Sequence, residues 1–431
     1  EVKKYEEKSN LIYQVKPLPD QILDYVWDYG ILKSNDEYKY IQIMAEKELS
    51  KLAHPVFTEL LFASQKFIRK VEEPYSVSLR DIKRAIKLVK FFYNSFEDHS
   101  TVRKGYPPPG NPTTIVRSYV LAISLCYHSR LYERDLRKKY RHEMEKILQN
   151  HDVYEGENMI VKIIREEQED YLNRMQCLHN AARNEALLEN VFAMIVCILT
   201  KIPVLVIGES GSSKSLAIHL ISLNLRGNDS NDEYFRSLPQ VYLIPYQVSL
   251  SSTSDGIMKV FDKANKCQEI ISKQFPVISV VLLKNADFAE TSPFNPLKIL
   301  HSLFESNPAT EPTVSAIGTS NWRLDISKSS RALLVQSYVP PNFKCILIMD
   351  EKNLASVDPS LIGRFEKQYM SINDALNDEQ KLLVENLCTW ALKISTLIGF
   401  NQITSLNDKF AQNDRSIGFY TDDVIKGLVL E

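Results

Sequence analysis

Five short apolar runs set the limits on what this chain can fold into. They are "VLVIG" (204–208), "VYLIPYQV" (241–248), "VISVVLL" (277–283), "TVSAIGTS" (313–320) and "FKCILIM" (343–349). Each has the length of a strand, and helical or loop sequence separates each from the next. Runs that are apolar at successive positions belong to parallel strands covered on both faces. Strands alternating with helices predict an α/β, doubly wound parallel sheet. Ahead of the first run, "VFAMIVCILTKIPVLVIG" (191–208) is interrupted by Lys201 and Pro203. A membrane helix needs roughly 20 uninterrupted apolar residues, so this region reads as a core helix followed by a core strand, with no transmembrane segment expected.

The first 170 or so residues have a different texture. In "DIKRAIKLVKFFYNSF" (81–96), Ile82, Ile86, Val89 and Phe92 fall at helical spacing. Ser78 precedes them as an N-cap, with Asp81 three positions on as a partial capping box. Residues 113–140 read as a second long helical tract whose charged tail is a solvated face. "GYPPPGNP" (105–112) reads as a stiff loop, and the chain returns to helix after residue 371. A length of 431 residues suggests two to four domains. A net charge of −2 gives no global basic field, so nucleic acid is not an expected partner. The six cysteines are scattered without a CxxC, which argues against a zinc site or disulfide framework and fits a reducing, cytoplasmic setting. The first residue is Glu1 rather than Met, so a piece of a larger protein is expected.

The run at 204–208 leads into the most chemical stretch of the chain: Gly208, Glu209, Ser210, Gly211, Ser212, Ser213, Lys214, Ser215. The strong phosphate-loop pattern is G-x-x-x-x-G-K-[ST], and here Ser213 replaces the second glycine. Backbone N–H groups curl around the phosphates, a lysine reaches the β/γ oxygens and a hydroxyl holds Mg²⁺. Lys214 and Ser215 meet the last two needs. An apolar strand precedes the loop and "LAIHLISLNL" follows it as a helix.

A P-loop ATPase also needs an acid at the tip of another core strand to hold Mg²⁺. The run at 277–283 ends instead in Lys284 and Asn285. A lysine there favours phosphate and repels Mg²⁺, and an asparagine cannot act as a general base. Asp287 and Glu290 are shifted by three and six residues from the metal position.

With these motifs in place, the chain resembles the mysterin family, giant RING-type E3 ubiquitin ligases that carry a row of AAA+ modules. "ARNEALLENVFAMIVCILTKIPVLVIGESGSSKSLA" resembles its P-loop segment, and "PYQVSLSSTSDGIMKVFDKANKCQ" resembles the next segment. In "SVVLLKNADFAETSPFNPLKILHSLFE" the family's Asp-Glu pair falls on Lys284 and Asn285. "IGTSNWRLDISKSSRALLVQ" resembles the sensor-1 strand and the helix after it. The family carries a longer insert where this chain has only a few residues, around 336–341.

The resemblance implies an AAA+ P-loop core flanked by helical lid subdomains. It divides the chain into the end of a preceding module (1–56), that module's helical lid and linker (57–169), the α/β core (170–370) and the start of a helical lid (371–431). It implies sensor 1 at Asn321, an arginine finger at Arg364 or Arg331, and a sensor 2 at Arg80 serving the preceding module; for each arginine a surface ion pair is the alternative. Neighbouring modules in a ring and a ubiquitin-conjugating enzyme are the implied partners, with zinc held only by parts of the parent outside this chain. The expected ligand is ATP, with Ser215 the hydroxyl for Mg²⁺ if the metal binds, and with binding that depends weakly or not at all on it. Three readings remain open at this level: a nucleotide-holding, hydrolysis-poor module, a spacer without nucleotide, and a working motor with an unorthodox acid.

Overall fold

The computed structural model describes residues 19–27, 32–73, 75–98, 103, 106, 113–151, 153, 158–177, 183–273, 275–290, 292, 294–304, 312–337, 345–347 and 428–430. Two compact units emerge: residues 1–175, 189–208 and 215–337 form one, and residues 176–188, 209–214 and 338–431 the other.

The helical block of the first unit starts with α1 (Ser34–Leu49) and α2 (Pro55–Val71). Pro55 suits the first turn of α2, where no N–H partner is needed, and His54 Nδ1 accepts the Val56 N–H at 3.3 Å. Helix α3 (Leu79–Asp98) begins as its sequence predicts: Ser78 N–H donates to Asp81 Oδ2 at 2.8 Å, and Ser78 Oγ accepts from Arg80 N–H at 3.3 Å. Ile82, Ile86, Val89 and Phe92 are all buried.

The tract at 113–140 is not one helix. It breaks into α4 (Thr114–Ile123), a π turn (Ser124–His128) and α5 (Arg134–Asn150). The Ser129 N–H bonds back to Ser124 O, closing the π turn, and the Ser129 carbonyl accepts from the Gln336 N–H at 2.8 Å instead of continuing a helix. Along α5 the charged face is solvated as expected, with Tyr140, Met144 and Leu148 buried at four-residue spacing beneath it. Helix α6 (Met159–Arg174) and α7 (Glu185–Thr200) follow; Val191 to Ile198 are all buried, so α7 is a core helix.

The strands are β1 (Val204–Ile207), β2 (Gln240–Gln247), β3 (Val277–Lys284), β4 (Ser315–Ser320) and β5 (Leu333–Gln336). Helix α8 (Lys214–Asn224) follows β1 and α9 (Ser254–Ile271) follows β2. The sheet is parallel throughout, in the order β2-β3-β4-β1-β5. The α/β class is as the alternation predicts, with two corrections. Strand β2 is not apolar-buried along its length: Val241 and Ile244 are buried, while Tyr242 and Pro245 are exposed. It is an edge strand, where a proline is tolerated. The fifth strand is Leu333–Gln336 rather than the run at 343–349; within that run Cys345–Leu347 forms β6, antiparallel to β7 (Leu428–Leu430). The other sheet edge, β5, is covered by the helical block. Besides the Gln336–Ser129 bond, Ser129 Oγ donates to Leu334 O at 3.2 Å and Arg137 Nη2 to Gln336 O at 2.7 Å. A covered edge cannot recruit foreign strands.

One face of the sheet buries Leu205, Ile207, Val281, Leu283 and Leu334 against Ile257, Phe261 and Ala264 of α9. Among the described residues no helix is long and apolar enough to cross a membrane, and no cluster of His, Cys, Asp or Glu could hold a metal ion.

Candidate functional site

Parallel register puts the C-terminal ends of β1, β3 and β4 along one sheet edge, where open α/β sheets bind ligands. Ile207 pairs with Ser320, and Leu283 with Gly318. The Gly208 N–H extends the β1–β4 ladder by donating to Ser320 O at 3.1 Å.

The loop that leaves β1 turns sharply. Gly211 and Ser213 both take left-handed backbone conformations, with φ of 80° and 59°. Successive N–H groups turned by such residues form an anion-binding concavity. Lys214 Nζ reaches back across the loop, donating to Glu209 O at 2.9 Å and Ser212 Oγ at 3.0 Å. Ser215, the second residue of α8, is exposed; Glu209 and Ser210 are also exposed, and Ser212 and Ser213 are buried. The Ser213 hydroxyl meets the Asn184 side chain, with Nδ2 to Oγ at 3.2 Å. These residues fit a phosphate ligand, since they combine turned backbone N–H groups, one ammonium and one hydroxyl.

The tip of β3 is built differently. Lys284 is exposed at its end, and Asn285 follows with φ of 54°. Asparagine tolerates that region far better than longer side chains do. The Asn285 N–H donates to Thr319 Oγ1 at 3.2 Å. Asp287, fully buried, accepts from the Asn321 N–H at 3.4 Å and from Asn321 Nδ2 at 3.2 Å. Glu290 is also buried and accepts the Asp325 N–H at 2.6 Å, with Lys328 Nζ at 3.9 Å. Burial pushes the Glu290 carboxyl above its ordinary range, against the opposing Asp325 N–H bond and Lys328 charge. Both acids near the tip are therefore engaged in holding the chain that follows Asn321.

The arginines divide in the same way. Arg331 Nη1 donates to the carbonyl of His301 at 3.2 Å. Arg80 is exposed on the first turn of α3. One turn further, Arg84 donates to the carbonyls of Ser330 and Ala332, each at 3.2 Å, so it is Arg84 that ties α3 to the segment before β5. Arg364 lies outside the described residues. Behind the Asn321 turn, Glu72 Oε2 accepts from both Arg130 Nη2 (2.9 Å) and Arg323 Nη2 (2.8 Å). Burial raises the Glu72 carboxyl, but the two guanidiniums outweigh it and hold the group below its ordinary range. Among the tryptophans, Trp27 is exposed, Trp322 is half-buried and Trp390 lies outside the described residues.

Arg84, Glu72, Asn184 and the Asp287–Asn321 pair were missed by sequence reasoning. Asn184 alone had a signal: an Asn directly before an apolar helical stripe is an N-cap. The others meet partners far away in the chain, which no spacing reveals.

Residues 180–344 match the family model described as RNF213 AAA domain, and residues 316–376 match a second model of the same description. The chain is 34% identical over 386 residues to the E3 ubiquitin-protein ligase RNF213 of Homo sapiens, covering 85% of this chain and 7% of the relative. It is 33% identical over 380 residues to E3 ubiquitin-protein ligase rnf213-beta of Danio rerio, covering 84% and 7%. With E3 ubiquitin-protein ligase RNF213 of Mus musculus it shares 34% over 369 residues, covering 81% and 7%.

Proposed function

This chain belongs to the RNF213 (mysterin) family, and we propose that its AAA module holds ATP through Gly208–Ser215 without hydrolysing it. The observation that carries the proposal is a division of labour in the sequence and the geometry. The phosphate-binding half keeps Lys214, Ser215 and the left-handed turns at Gly211 and Ser213. The half that should polarise water has Lys284 and Asn285 at the β3 tip, with Asp287 and Glu290 already hydrogen-bonded to the Asn321–Asp325 segment.

In this reading Lys214 exchanges its bonds within the loop for the β/γ-phosphate oxygens, and the turned N–H groups take the remaining oxygens. Ser215 is the hydroxyl that would hold Mg²⁺, a Lewis acid that offsets phosphate charge when bound. Neither Lys284 nor Asn285 adds a carboxylate to it. We therefore propose that affinity depends weakly on Mg²⁺, and that the nucleotide is a structural ligand. Asn321, tied to Asp287, would act as a fixed strut rather than a sensor of the γ-phosphate.

The chain spans about 7% of the length of its curated relatives, so whole-protein activity enters only as part of this proposal. The parent would be an E3 ubiquitin-protein ligase with further AAA modules in a ring. A ubiquitin-conjugating enzyme and zinc would be engaged by other segments, and Arg364 or Arg331 would face a neighbouring module. Residence in the cytoplasm belongs to the same reading, which the thiols of Cys126, Cys197 and Cys267 support.

The second reading, a spacer without nucleotide, is favoured by one observation: Lys214 already has partners within its own loop. Titration with ATP in Mg²⁺ and in EDTA separates the two. Binding in both conditions, weakened about 10- to 100-fold by Lys214→Ala through the loss of a charge-assisted contact, supports the nucleotide-holding module. No binding in either supports the spacer, and Mg²⁺-dependent binding rejects metal independence. Weaker EDTA binding by Lys284→Asp would assign Lys284 a share of the phosphate charge.

A further inference from the structure

Ser213 occupies a position that the phosphate-loop pattern reserves for glycine, and its φ of 59° explains the preference for one. A left-handed conformation carries a steric cost for an L-residue that glycine avoids. Here the side chain that adds the cost also makes a tether. Asn184 Nδ2 lies 3.2 Å from Ser213 Oγ, and Asn184 Oδ1 lies 3.3 Å from the same hydroxyl. The orientation of the Asn184 amide is set independently, because its Oδ1 accepts the Leu187 N–H at 2.7 Å. Asn184 thus caps the first turn of α7 and grips the loop 29 residues away in sequence. A glycine would relax the backbone and remove the grip.

We infer that Asn184 is a positioning residue for the phosphate loop. It acts through the Ser213 hydroxyl, and the pair holds the loop in its phosphate-ready curvature before ligand arrives. The inference rests on the nucleotide-holding reading for its consequence, but the tether itself belongs to the ligand-free chain. A loop held this way has less conformational freedom to lose on binding. A glycine in place of Ser213 leaves the loop to be ordered by the ligand.

The test uses the full chain in four forms: wild type, Asn184→Ser, Ser213→Ala and the double variant. Serine keeps an N-cap for α7 but lacks the amide that meets Ser213, so helix capping is separated from the tether. Hydrogen exchange of the ligand-free amides at 208–217 reads the tether, and titration with ATP reads its consequence. Each single variant should speed loop exchange and weaken ATP binding by about three- to tenfold, the size of one hydrogen bond. The double variant should be no worse than the worse single one, because both act on one contact. Ser213→Gly should also speed loop exchange despite its relaxed backbone. Wild-type exchange in Asn184→Ser, or singles that multiply in the double, overturns the inference. A wild type that binds no ATP overturns the nucleotide reading alone, and the exchange arm still decides the tether.

Discussion

At the phosphate loop, Lys214 and Ser215 stand at the start of a helix with turned backbone before them, and the lysine's bonds are to its own loop. Around the tip of β3, by contrast, Asn285, Asp287 and Glu290 are each committed to the protein's own architecture, while Lys284 is exposed. Asn285 spans to Thr319, Asp287 holds Asn321, and Glu290 caps the turn at Asp325. Lys214's bonds to Glu209 O and Ser212 Oγ are to groups of the same loop, which an anion's oxygens can replace. The second region's groups cannot leave without exposing or orphaning buried polar atoms, which is costly. The difference teaches that acids close to a strand tip can serve as internal ties rather than as an open site.

If that contrast is right, the largest loss of stability should come from the ties and little from the loop. Glu72 binds two guanidiniums, one of them Arg323 just beyond Asn321. Glu72→Gln should cost about 3 kcal/mol in denaturant unfolding, since it leaves both cations short of a counter-charge. The same carboxyl gives a pH signature. Its folded value lies below the ordinary 4.5, so the unfolded chain binds more protons as pH falls. Its contribution is therefore complete above about 4.5 and is lost as pH drops through the lowered folded value. Glu72→Gln should flatten that part of the acid limb. An unchanged limb would remove Glu72 from the account.

A smaller loss is expected at Asp287. Removing this buried carboxylate leaves the Asn321 N–H and amide short of acceptors, so Asp287→Ala should cost about 1–3 kcal/mol. Lys214→Ala, in the loop, should stay within about 0.5 kcal/mol of wild type in the absence of ligand. Equal effects at the two positions would erase the contrast.

How much of this was legible beforehand follows from the range of the interactions. The capping box at Ser78 and Asp81, the core character of α7 and the strand–loop–helix around Lys214 are local, and periodicity or spacing exposes them. That Lys284 and Asn285 rather than acids end the third apolar run was equally plain. The fifth strand was misassigned because Leu333–Gln336 is only four residues long, and burial by β1 and the helical block, rather than its own pattern, makes it a strand. The end of the π turn at Ser124–His128 is likewise tied to β5, some 200 residues away, through the Ser129 carbonyl. Asp287 and Glu290 were set aside by register alone; what they do instead depends on partners beyond residue 320.

The smallest expected effect is a null. Placing Asp at 284 and Glu at 285 together should leave turnover at the Lys214→Ala background. A glutamate at φ of 54° is disfavoured, and Asn321 stays tied to Asp287. Recovery of turnover well above that background would show that the tip geometry is compatible with catalysis and that only the two side chains are missing.

The most direct test of a module that holds nucleotide without consuming it is the fate of bound ATP. Wild-type protein loaded with γ-labelled ATP should retain the triphosphate over hours, with phosphate release no faster than from Lys214→Ala. A positioned general base would raise that rate by about 10²–10⁴. Stoichiometric conversion to ADP in wild type, abolished by Lys214→Ala, would contradict the account.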